Sequence, residues 1–76
     1  MAEIEVRNAT DEHGRDRPSL IVAYVNGRPV ASAAKVAGRT PEQWVAHRAG
    51  STGYVTGLSE IQARETLLGW AREAAS

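Results

Sequence analysis

Asp11, Glu12, His13 and Asp16 crowd into the stretch DEHGRD. Carboxylate oxygens suit hard cations, and an imidazole nitrogen would add a further ligand. The spacing fits neither the ligand positions of a calcium loop nor a zinc pattern. The stretch therefore reads as a solvated polar loop, and no metal is expected. His47 follows Glu42 at a spacing that puts the two on different sides of a helix, too far round for a working pair. The run GSTG follows a predicted helix rather than opening one, so its amides lack the dipole that phosphate loops use. Ser51 and Thr52 have no visible base, and Ser59 is taken up by capping. No catalytic residue and no cofactor is expected, and the chain reads as non-enzymatic. At 76 residues it also has little room for a concave pocket of ~300 Å³ or more.

Binding residues are the next candidates. Nine basic and nine acidic residues give zero net charge, but the signs are unevenly spread. Between residues 13 and 48, Arg15, Arg17, Arg28, Lys35, Arg39 and Arg48 face only Asp16 and Glu42. A basic section of this kind attracts anions, and Arg28, Lys35, Arg39 and Arg48 are the candidate anion or nucleic-acid contacts. Their density is well below that of a strong polyphosphate binder. For a protein partner or a second copy, the candidates lie on the predicted C-terminal helix: Trp70 at the edge of its apolar arc, with Arg64 and Leu67.

The elements that must carry these side chains are legible from periodicity. EIEVR at residues 3 to 7 alternates charged and apolar residues, a half-buried strand with Ile4 and Val6 inward. An exposed loop is predicted over about 8–18, where turn formers and charges cluster. LIVAYV at 20 to 25 is a β-branched and aromatic run, and Asn26-Gly27 after it suits a type I′ hairpin turn. That turn predicts Val25 opposite Arg28, Ala23 opposite Val30 and Ile21 opposite Ser32. Pro29, which lacks an N–H, belongs at an edge or near a strand start. The alanine-rich return segment fits a strand to about Ala34, with a short helix over 31–37 as the competing reading.

Two helices carry matching start signals. GRTPEQ offers Thr40 as cap, Pro41 at the first helical position and Gln43 reaching back, and GLSEIQ offers Ser59 and Gln62 in the same way. The first helix is expected to end at Gly50. The second runs from Glu60 to about Ala74 with a broad apolar arc. GYVT between them reads as a short additional strand.

The segment 31–49 has a helix-turn-helix outline, with Ala33 and Ala34 as small packing residues and Gly38 in the turn. The positions that would face base edges are Thr40, Pro41, Glu42, Val45 and Ala46, and they are not the arginine, lysine, asparagine or glutamine that base readout uses. The wheel instead puts Trp44 inward, so packing is the expected role of 40–49. A three-stranded sheet laid on a duplex is the other nucleic-acid mode, with Arg28 and Lys35 too sparse for phosphate neutralisation.

The expected architecture is one small α+β domain over 1–76. It has an antiparallel sheet of three to four strands, in the order β-β-β-α-(β)-α, with two helices packed on one face. Much of the 42% apolar content is alanine, and each buried methylene contributes only about 0.8 kcal/mol, so the core should be thin. With no cysteine there is no disulfide staple, and oligomerisation is a common substitute, which makes a homodimer an expectation. No run approaches the ~20 apolar residues of a membrane span, and MAEIEV is unlike a signal peptide. A soluble, cytoplasmic protein is therefore expected. Alanine and arginine usage suggests a bacterial or phage genome. The functional expectation is a small regulatory or adaptor protein acting by protein–protein interaction. The alternative is a DNA-binding regulator using the basic middle section.

Overall fold

The computed structural model describes residues 2–38 and 40–76. Among these residues five strands form one antiparallel sheet in chain order, and a single helix follows. The strands are β1 (Ile4–Thr10), β2 (Asp16–Val25), β3 (Arg28–Lys35), β4 (Trp44–Arg48) and β5 (Tyr54–Leu58), and the helix α1 spans Glu60–Ala75. This corrects the expected sheet of three to four strands with two helices. The segment predicted as the first helix is β4. Its local start signals are outweighed by pairing with β3, where Lys35 lies opposite Trp44 and Ala33 opposite Ala46. Trp44 and Ala46 are buried while Val45 and His47 face the other way, the period-two pattern of a strand.

The helix-turn-helix outline falls with that helix. Residues 31–35 and 44–48 are neighbouring strands, and the short helix considered for 31–37 is absent. The expected loop at about 8–18 is mostly hairpin: β1 runs to Thr10 and β2 starts at Asp16. Asp11 organises its turn, its carboxylate accepting from the backbone N–H of His13 and Arg15 at 2.8 and 3.0 Å. The short strand read in GYVT is found as β5.

The Asn26-Gly27 turn has both residues at positive φ, 52° and 81°, as a type I′ turn requires. Val25 sits opposite Arg28 as predicted, but Ala23 lies opposite Ala31 and Ile21 opposite Ala33. The register shifts by one because a bulge intervenes between Ala23 and Tyr24. Pro29, without a donor, sits where the ladder is interrupted.

Alternation then decides which residues reach α1. Ile21, Ala23, Val25, Ala31, Ala33, Trp44 and Ala46 from the sheet meet Ala63, Leu67 and Ala71 from the helix. Alanines on both sides let the helix axis come close to the strands. Among the described residues, Trp44, Ile21 and Leu67 are the largest side chains that are fully buried. Ser59 opens the helix with a complete capping box: its hydroxyl accepts from Gln62 N–H at 3.1 Å, and its own N–H donates to the Gln62 side chain at 2.9 Å. The result is a slab measuring 40 × 30 × 21 Å. No helix among the described residues is long and apolar enough to cross a membrane.

Candidate functional site

A five-stranded sheet has two faces, and α1 covers one. The opposite phase of every strand therefore points away from the core. The register aligns those side chains in rows across the sheet. Arg7, Val22, Ser32, His47 and Tyr54 form one row through all five strands. Leu20, Ala34 and Val45 form a second, and Glu5, Tyr24 and Pro29 a third. Small residues on β3 lie between larger ones on β2 and β4, so the face has a trough down its middle. A shallow cavity of about 440 Å³ lies there, lined in part by Leu20, Val22, Pro29, Ser32 and His47.

Polar groups hold the rim. The Arg7 guanidinium sits 4.6 Å from the centre of the Tyr24 ring and pairs with Glu5. At the other end the His47 ring packs on Tyr54 with centroids 5.0 Å apart. His47 Nε2 lies 2.7 Å from the Ser51 carbonyl oxygen; a carbonyl only accepts, so this nitrogen carries the proton. Ser32 lies opposite His47 in the β3–β4 ladder. Tyr54 is 67% exposed, the largest uncovered ring on the face.

The residues singled out from sequence lie elsewhere and apart. Leu67, read from sequence as a partner contact, is fully buried between helix and sheet and belongs to the core of the chain. Arg64 is half-buried on the β1 side of the helix, donating to Asn8 Oδ1 at 3.3 Å and lying 3.9 Å from Glu60. Trp70 is half-buried on the opposite flank, beside a cavity of about 300 Å³ that Arg48, Tyr54 and Val55 also line. These three therefore form no common patch. Of the cations, Arg28 is exposed at the type I′ turn, Lys35 lies 3.8 Å from Glu42 and Arg48 lies 2.9 Å from Glu73. Arg28 and Lys35 stand at opposite ends of β3. Arg39 lies outside the described residues. The basic middle section is thus dispersed, with two of its members facing carboxylates.

The residues missed were those of the uncovered face. A signal for them exists in LIVAYV, which is apolar in both phases of a strand. Such a run marks a strand that needs cover on both sides. Comparison with protein-family models, with curated proteins and with solved structures finds no match to this chain.

Proposed function

We propose that this chain is a small non-enzymatic interaction module, regulatory or adaptor in role, that binds protein on the face of the sheet opposite α1. One observation carries the reading. Leu20, Val22, Tyr24, Val45 and Tyr54 stand on a face that nothing among the described residues covers, and an apolar patch with a polar rim is how binding surfaces are built. The flanking pairs Arg7–Glu5 and His47–Tyr54 supply that rim.

The test is capture from the native host with tagged protein, comparing wild type with Val22→Lys. A partner held by wild type and lost by the variant supports the reading; equal capture by both overturns it. A nucleic-acid reading has one observation in its favour, the exposed aromatic groups of the same face, since bases stack on such rings. Glu5 beside Arg7 and the zero net charge oppose it. A gel shift with single-stranded and duplex DNA separates the two, because phosphate-driven binding weakens steeply with salt.

A further inference from the structure

We infer that the occupant of the uncovered face is a second copy of this chain, the two sheets stacked about a two-fold axis that runs along the strands between β2 and β3. The inference rests on the reading that this face binds protein, and it names the partner.

The first argument is relief. On the uncovered face β2 presents Leu20, Val22 and Tyr24, while β3 presents Ala34, Ser32 and Pro29 at the same three levels. Large residues stand on one strand and small ones on its neighbour. A two-fold axis between these strands exchanges them. It lays Leu20 over Ala34, Val22 over Ser32 and Tyr24 over Pro29 of the other copy, and the reverse at the same time. That is the self-complementarity an isologous interface demands. Stacked sheets lie ~10 Å apart with strands turned about 30°, a gap that a ridge meeting a trough can fill.

The second argument is charge. Each copy carries Arg7 and Glu5 side by side at the β1 edge, and the chain is neutral. Stacking two such faces brings no net charge of one sign together. The same axis sets β1 over β4, so Arg7 arrives at the level of His47 and Tyr54 of the other copy, whose ring faces accept a guanidinium.

The third argument is area. The surface of the chain is 5274 Å², whereas a compact monomer of this mass exposes about 4,500 Å². The chain exposes more surface than a compact monomer of its mass, and a stable interface takes roughly 600 Å² or more from each partner. The four strands that overlap span about 19 Å at ~4.8 Å spacing, and their side chains corrugate the face beyond that projection.

Sedimentation equilibrium at micromolar concentration tests the inference on wild type, Val22→Lys and Ala34→Arg. The expected result is a dimer for wild type and at least about tenfold weaker association for each variant, with the far-ultraviolet spectrum unchanged. Ile61→Lys alters a side chain 70% exposed on the far side of the helix, and it is expected to stay dimeric. The natural chain has no cysteine, so single cysteines report register. A mixture of Val22→Cys and Ser32→Cys proteins should be joined by a short bis-maleimide, and Ile61→Cys protein alone should not. A monomeric wild type, or a dimer that survives both face variants, overturns the inference. A monomer that still loses its host partner on Val22→Lys also overturns it, while leaving the protein-binding reading standing. A monomer that binds single-stranded DNA through Tyr24 and Tyr54 overturns both.

Discussion

Trp44 concentrates more of the stability than any other side chain. It is fully buried, and its indole N–H donates to the Glu42 carboxylate at the start of β4. Replacing a buried tryptophan by alanine costs about 3–5 kcal/mol. A chain of this length has a total stability of only about 4–11 kcal/mol. Trp44→Ala is therefore expected to remove a large part of that stability, read as a steep fall in the urea midpoint, whereas Trp44→Phe should lower the midpoint less. Asn8 carries a different kind of responsibility. It sits where the β1–β2 ladder shifts register. Its amide donates to the carbonyls of Arg17 and Leu20 at 3.2 and 3.3 Å, and its oxygen accepts from Arg64. Asn8→Leu strands those groups at an interrupted ladder, at an expected cost of about 1–3 kcal/mol. The urea midpoint should fall with no change of slope.

Elements differ in how much of them local chemistry decides. Helix α1 is decided locally: the Ser59–Gln62 capping box was readable, and Ser59→Ala is expected to cost about 1 kcal/mol in urea denaturation. The β2–β3 hairpin was equally readable from Asn26-Gly27, except that a bulge beside Pro29 displaced the register beyond the turn. β4 was not readable. Thr40, Pro41, Gln43 and Gly50 spell helix boundaries, and only pairing with β3 on one side and β5 on the other holds Trp44–Arg48 extended. The β4–β5 ladder also hides a shift between Trp44 and Ala46, accommodated by Gly57 at φ 73°. Space for a methyl group exists there, so the expected loss in Gly57→Ala, about 1–2 kcal/mol, arises from backbone conformation alone. The uncovered face stayed hidden for a related reason. Leu20, Val22 and Tyr24 are as apolar as their inward neighbours, so the run reads as core until the sheet is seen to have one helix and two faces.

At the scale of the whole molecule, a thin core and an uncovered face are two sides of one problem. Ala23, Ala31, Ala33, Ala46, Ala63 and Ala71 are six of the ten residues in the buried cluster, and their burial releases little transfer free energy. The apolar side chains that would add to it stand on the other face, where they contribute only once something covers them. If a second copy does so, folding and association share one equilibrium, and stability depends on protomer concentration. The melting temperature of wild type should then rise steadily with concentration, each tenfold step adding about 1.4 kcal/mol to the apparent stability of the dimer. Val22→Lys should abolish the dependence. A half-buried valine on an open face contributes little to an isolated slab, and such surface changes usually move stability by no more than about 0.5 kcal/mol. The variant's melting temperature should therefore match the low-concentration limit of wild type and stay there as protein is added. Calorimetry of both proteins across a wide concentration range checks this. A wild-type midpoint independent of concentration would mean that the slab stands alone, with the whole burden of stability on Trp44, Ile21 and Leu67.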